Sequence, residues 1–122
     1  PYERIGGESA VRQLCKNFYE IMSETPKAKG IRDMHPEDIT ISEEKLYLFL
    51  TGWLGGPSLY TDKYGHPRLR SRHLPFAIGI EERDQWLYCM AHALARLELD
   101  QLFAEQLISS FAQTADFMRN QE

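Results

Sequence analysis

The sequence predicts an all-α fold of four main helices and one short one, and three observations predict it. Apolar residues recur at three- and four-residue spacing along most of the chain. No segment sustains the two-residue alternation of a half-buried strand, and beyond Gly79 there is neither glycine nor proline. At 122 residues the chain is expected to be one domain, spanning 1–122, with one core. Hydrophobic residues at 43% and charged residues at 26% are ordinary for a globular protein, and a net charge of −4 argues against a nucleic-acid partner. No apolar stretch is long enough to span a bilayer, and the opening Pro1-Tyr2-Glu3-Arg4 does not resemble a signal peptide. Cys15 and Cys89 lack paired spacing and fall in apolar helical stripes, which predicts buried free thiols in a reducing cytoplasm.

The elements follow in order. Gly6-Gly7 marks a turn, and Val11, Leu14, Cys15, Phe18, Ile21 and Met22 then form the buried stripe of a first long helix. Thr25-Pro26 is expected to end it, leaving Lys27-Ala28-Lys29-Gly30 as an exposed basic loop. Thr40-Ile41-Ser42-Glu43 has the form of a capping box, after which Leu46, Phe49, Leu50, Trp53 and Leu54 mark a second helix. Gly55-Gly56-Pro57 stops it, and a loop with Tyr60, Tyr64 and Gly65 is expected next. Trp86, Met90, Ala93, Leu94 and Leu97 mark a third helix. Leu102, Phe103, Leu107, Phe111, Ala115 and Met118 mark a fourth, with the break near Glu98 to Asp100 and Asp100 as the candidate cap.

Between these helices lies Gly65-His66-Pro67-Arg68-Leu69-Arg70-Ser71-Arg72-His73-Leu74-Pro75-Phe76. Pro67 and Pro75 bracket one short helical segment, in which Leu69, Arg72 and His73 share roughly one side. A neutral imidazole among apolar neighbours and guanidinium groups can hold the iron of haem, whose edge carries two carboxylates. The alternative is a partly exposed histidine that serves solubility. Zinc is disfavoured, since no cysteine and no histidine at i+4 joins His73. Tyr19 and Trp86 read either as core residues or as donors, through O–H and indole N–H, to a polarised diatomic ligand. His66 and His92 suggest no function.

The run GGPSLY…GHPRLRSRHLPF…ERDQWL, from Gly55 to Leu87, resembles the group II truncated haemoglobins, and the likeness extends from Gly6-Gly7 to the last helix. It implies the two-over-two helical sandwich around haem b, with His73 as the proximal ligand of the iron. Tyr19 and Trp86 would then be distal donors to dioxygen or another diatomic ligand. His35 stands where family members often carry tyrosine or phenylalanine. It can donate a third hydrogen bond or bind the iron as sixth ligand, and it titrates near neutral pH. The loop from Thr25 to Asp33 looks longer than usual, and its lysine-bearing part from Pro26 to Gly30 suggests a mobile leash for His35. Ser42 matches the site of the distal histidine in ordinary globins. Leu46, Phe49, Leu50, Trp53, Leu69, Phe76, Ile78 and Met90 would enclose the porphyrin, a role compatible with simple core packing. Lys45, Tyr60 and Arg72 would meet the propionates, or serve as solvated surface.

A histidine axial ligand with two distal donors implies tightly held dioxygen, which argues against bulk oxygen delivery. Two hydrogen bonds at about 1 kcal/mol each slow release by roughly tenfold or more. The expectation is a haem protein binding dioxygen and other diatomic ligands, with nitric oxide or peroxide detoxifying chemistry supported by an external reductase. The alternatives are a haem-based oxygen or redox sensor with His35 as internal ligand, and a non-haem helical interaction domain. A monomer or weak homodimer is expected.

Overall fold

The computed structural model describes residues 1–68, 73 and 76–120. Its helices are α1 (Tyr2–Ile5), α2 (Gly7–Glu24), a 3-10 turn (Pro26–Ala28), α3 (Lys29–Asp33), α4 (Thr40–Trp53), α5 (Leu59–Tyr64), α6 (Ile80–Ala95) and α7 (Gln101–Phe117). No strand occurs among the described residues. α2 packs on both α4 and α6, and α6 packs on α7, so α2 with α4 and α6 with α7 form the two pairs of a two-over-two sandwich.

The long helices are those the apolar stripes predict, and each buries its stripe. Val11, Leu14, Cys15, Phe18, Ile21 and Met22 of α2 meet Cys89, Met90, Ala93 and Leu94 of α6 and Phe103, Leu107 and Phe111 of α7 in one core. Asn17 shares the buried face of α2 without cost, because its carboxamide accepts from Gln13 at 2.8 Å and donates to the carbonyl of Ala93 at 3.3 Å. Asp100 caps α7 as expected, its carboxylate accepting from Phe103 N–H at 3.1 Å. Both cysteines are buried free thiols, and burial pushes Cys15 up to about 12 and Cys89 up to about 11, which keeps them protonated and unreactive.

The short elements differ from expectation. Lys27, Lys29 and Gly30 are exposed as expected, but the stretch is not a loop: Pro26 opens a 3-10 turn that runs into α3, and Ala28 and Ile31 are buried. The fixed φ of proline suits a first helical position, and the three-residue spacing turns both apolar side chains to the core. The capping box at Thr40 does not form. α4 begins at Thr40 itself, and Asp38 accepts both its N–H (3.0 Å) and its hydroxyl (2.6 Å). The expected loop with Tyr60 and Tyr64 is helix α5, held by burial of Tyr60 and its edge-on contact with Phe49. α1 docks through Tyr2, whose N–H donates to Leu54 at 2.8 Å. The Tyr2 ring lies 2.7 Å from where a Cβ on Gly56 would be, so that turn has no room for a side chain.

Each main helix pair carries one surface ion pair. Arg12 meets Glu44 between α2 and α4 at 2.7 Å, Arg96 meets Glu20 between α6 and α2 at 3.3 Å, and Arg83 meets Asp116 between α6 and α7 at 2.7 Å. Asp116 also takes Arg119 at 3.1 Å, and the two guanidinium groups, Arg83 foremost, hold its carboxyl below the usual carboxylate range. A depressed folded-state value means that the unfolded chain binds this proton more readily. The contribution is therefore present above about pH 4 and is lost as pH falls through the depressed value. Asp116→Asn should lower the Tm at pH 7, and the gap from wild type should narrow progressively below about pH 4. Thermal melts of both proteins from pH 7 to pH 2.5 check this; a gap unchanged by acid would contradict it.

Candidate functional site

The core between the helix pairs is organised by rings. Phe18, fully buried on α2, meets Tyr19 edge-on at 5.1 Å and Trp86 of α6 at 5.4 Å. Tyr19 in turn meets the His35 ring edge-on at 5.6 Å. On the other side Trp86 contacts Phe111 at 5.6 Å, and Phe111 stacks on Trp53 of α4 at 4.4 Å. Three of the residues expected around one ligand, Tyr19, Trp86 and His35, are therefore members of one aromatic cluster. Tyr19 is 5% exposed, and burial, reinforced by Cys15 and Glu43, raises its phenol well above the ordinary value. It remains a neutral O–H donor, and the same burial opposes a phenolate role.

His35 is held more firmly than a leash would allow. Its Nδ1 lies 2.8 Å from the carbonyl of Ile31 one turn earlier. A carbonyl only accepts, so Nδ1 carries the hydrogen and the neutral ring presents a bare lone pair at Nε2. Burial lowers the tendency of His35 to protonate; the Ile31 carbonyl opposes this, and the charges of Arg32 and His73 add to it. The expected third hydrogen-bond donor is thus corrected. A neutral His35 with Nδ1–H engaged offers an acceptor or a metal-ligating nitrogen instead. Arg32 staples the turn, donating to Ser23 (3.2 Å) and to the carbonyls of Pro36 (2.9 Å) and Glu37 (2.7 Å). Gln85, next to Trp86, accepts the N–H of Ile31 at 3.0 Å. Gly30 permits that approach, since a Cβ there would come within 2.8 Å of the Gln85 oxygen. Arg32 and Gln85 are positioning residues that sequence reasoning missed, and no local pattern marks either.

His73 is helical and half-buried, and its carbonyl accepts the N–H of Phe76 at 3.0 Å. Leu69 and Arg72, expected beside it, lie outside the described residues. A cleft of about 220 Å³ is lined by Phe49, Gly52, Trp53, Ser58, Tyr60, Thr61 and Pro67, at the entrance to the His73 segment. Phe49, Trp53 and Tyr60 are among the expected cofactor contacts, and Ser42, Leu46 and Ile78 are half-buried. Leu50 and Met90 are fully buried core residues, whereas Phe76 is 41% exposed. Lys45 is exposed, with its ammonium 5.4 Å from the Tyr64 ring at the α4–α5 rim. A second, outer groove of about 330 Å³ between α2 and α6 is lined by Ile21, Thr25, Tyr88, His92, Ala95 and Arg96, none of which was expected in the site.

The donor set suits a metal that brings most of its own ligands. Among the described residues no three His, Cys, Asp or Glu side chains gather as a metal cage. His35 meets the aromatic cluster at Tyr19, Phe49 and Trp53 line the cleft that reaches Pro67, and Lys45 stands at the α4–α5 rim. That arrangement fits a flat, apolar macrocycle with an axial position and an anionic edge.

Comparison with known proteins agrees with this geometry. Residues 1–120 match the bacterial-like globin family. The group 2 truncated haemoglobin YjbI of Bacillus subtilis (strain 168) is 45% identical over 121 residues, covering 99% of this chain and 89% of that one. Among solved structures, the cold-adapted truncated haemoglobin of the Antarctic marine bacterium Pseudoalteromonas haloplanktis TAC125 superposes with a TM-score of 0.97 at 44% identity, covering 100% of this chain and 98% of that chain. The truncated oxygen-avid haemoglobin of Bacillus subtilis superposes with a TM-score of 0.89 at 43% identity, covering 98% of each.

Proposed function

We propose, from the premise that the chain belongs to the bacterial-like globin family and binds haem, that it holds dioxygen tightly and uses it, or peroxide, in slow detoxifying turnover with nitric oxide or peroxide as substrate. His73 is the axial ligand in this reading, and Tyr19 and Trp86 are the distal donors. The observation that carries it is the contact of both Tyr19 and Trp86 with Phe18, which fixes an O–H and an indole N–H in one cluster. When bound, haem would supply an iron able to bind and polarise a diatomic ligand. Every other contribution is the protein's.

Tyr19 stays protonated because it is buried, so its O–H is available to a polarised oxygen. Trp86 has only a donor to offer, and its ring is fixed between Phe18 and Phe111. Two such bonds oppose release and draw charge onto the far atom of the ligand, which favours chemistry over delivery. Leu46, Phe49 and Trp53 present the apolar face of α4 to the macrocycle, and Lys45 and Tyr60 suit its carboxylate edge. Turnover requires electrons from an external reductase. The oxygen-avid relative of Bacillus subtilis lends support to tight binding as the common behaviour.

The bare Nε2 of His35 favours a second reading, in which His35 occupies the sixth position and external ligands must displace it, as in a sensor. His35→Phe separates the two. If His35 ligates the iron, the variant loses a low-spin fraction and binds carbon monoxide faster. Electronic spectra and flow kinetics that match wild type would eliminate this reading.

Two expected outcomes test the main reading. Haem added to the purified protein should give a Soret band, and His73→Ala should retain haem only with added imidazole. A normal histidine–iron stretch in that variant by resonance Raman would refute the axial assignment. Tyr19→Phe and Trp86→Phe should each speed dioxygen release by several-fold to roughly tenfold, and the double variant should depart from additivity, since both act on one ligand. Stopped-flow release at the wild-type rate in both single variants would remove them from the ligand's hydrogen-bond shell.

A further inference from the structure

Asn120, three residues beyond α7, carries more hydrogen bonds to the His73 region than any helix contact explains. Its backbone N–H donates to the carbonyl of Ile78 at 2.8 Å, and its Oδ1 accepts the N–H of Ile78 at 2.9 Å. Its Nδ2 donates to the carbonyl of Phe76 at 2.7 Å and to the carbonyl of His73 at 3.3 Å. Backbone and side chain of this one half-buried residue thereby bracket Ile78 on both sides, and the side chain gathers the two carbonyls before it. These bonds span 42 to 47 residues of sequence, so they belong to the tertiary fold and not to a local turn.

The chemistry requires this residue type. The bracket on Ile78 uses an acceptor, the two carbonyls need donors, and only a planar carboxamide offers both on one short stem. Aspartate keeps the acceptor and loses both donors. Alanine loses all three side-chain bonds. Glutamine carries the same groups on a stem one methylene longer.

We propose that Asn120 is the positioning residue of the axial histidine: by holding the carbonyls of His73 and Phe76 and the backbone of Ile78, it sets the angle at which the His73 imidazole meets the haem iron. This rests on the reading of His73 as axial ligand. A carbonyl fixed by Asn120 and by the N–H of Phe76 fixes the peptide plane after His73. Because His73 is itself helical its ψ is set as well, so its Cα–Cβ direction follows from that plane, and the imidazole hangs from it. The anchor is itself braced, because Asp116 at the end of α7 is paired with Arg83 of α6 and with Arg119. Orientation reaches the iron from α7 through the protein backbone, which is how an outer partner tunes a metal ligand.

The test uses the haem-loaded ferrous protein and resonance Raman of the histidine–iron stretch, with amide hydrogen exchange at Ile78 as a second readout. Asn120→Asp and Asn120→Ala should both displace or split the stretching band while retaining haem. Exchange at Ile78 should quicken in Asn120→Ala and stay near wild type in Asn120→Asp, which keeps the Oδ1 acceptor. Asp116→Asn, which removes the charge that ties the end of α7 to Arg83 and to Arg119, should lower stability and move the band less than either Asn120 variant. A band at the wild-type position in both Asn120 variants would overturn the proposal. His73→Ala identifies the other failure: a histidine–iron band that survives it refutes the axial reading and this inference with it. A band lost in His73→Ala and unmoved in the Asn120 variants refutes the inference alone.

Discussion

The placement of Phe18 between Tyr19 and Trp86 is the constraint from which the rest of the site follows. Phe18 has no exposed surface, and its ring meets one neighbour on its own helix and one on α6. Tyr19 is adjacent in sequence and so projects about 100° around α2 from Phe18. For both to be buried, α2 must be covered on two sides, by α4 and by α6. A helix covered on two sides cannot rotate without exposing one aromatic ring or the other. The burial of Asn17 adds a polar check on the same register, since its amide reaches Ala93 only when α2 and α6 are correctly aligned. The donors proposed to face a diatomic ligand are therefore fixed by core packing, which costs no further ordering when the ligand arrives.

What the chain shows in advance, and what it hides, divides by the range of the forces involved. α2, α4, α6 and α7 are legible because each buries a stripe whose spacing the helix itself imposes, and Asp100 is legible because a cap acts within three residues. α3 and α5 are not legible. Five or six residues cannot sustain a helix alone, and these exist because Ala28, Ile31 and Tyr60 find cover elsewhere in the fold. The capping box at Thr40 illustrates the opposite error: the pattern is present, but Asp38 lies nearer and takes the free N–H.

The site residues divide in the same way. Tyr19, Trp86, His35 and His73 stand out by residue type and by the resemblance their neighbourhood carries. The state of His35 does not, because its proton position depends on a carbonyl that is one turn away only if α3 is helical. Arg32, Gln85 and Asn120 are invisible for a related reason. Gln85 and Asn120 satisfy backbone groups that come from distant parts of the chain, and Arg32 satisfies two carbonyls four and five residues ahead that only the shape of the turn presents to it. Residues that perform chemistry carry a chemical signature, whereas residues that aim them are ordinary amides and guanidinium groups in the right place.

The first turns of α6 show how these separate supports are kept in agreement. Glu82 closes the helix start by accepting the N–H of Gly79 at 2.7 Å. Arg83 then ties α7, Gln85 ties α3, and Trp86 enters the aromatic cluster. Arg83 and Trp86, three residues apart, leave α6 on one side, toward α7, whereas Gln85 leaves it on another, toward α3. One holds the helix whose end reaches His73 through Asn120, one holds the turn that carries His35, and one contributes the indole between them. If α6 shifted by one residue against its neighbours, all three would be misdirected together. The cap at Gly79 and Glu82 opposes that slip, because a shifted start would leave the N–H of Gly79 without its carboxylate. The supports of the His73 segment and of the His35 turn are thus referred to one short stretch of one helix, and their alignment is a consequence of where that helix begins.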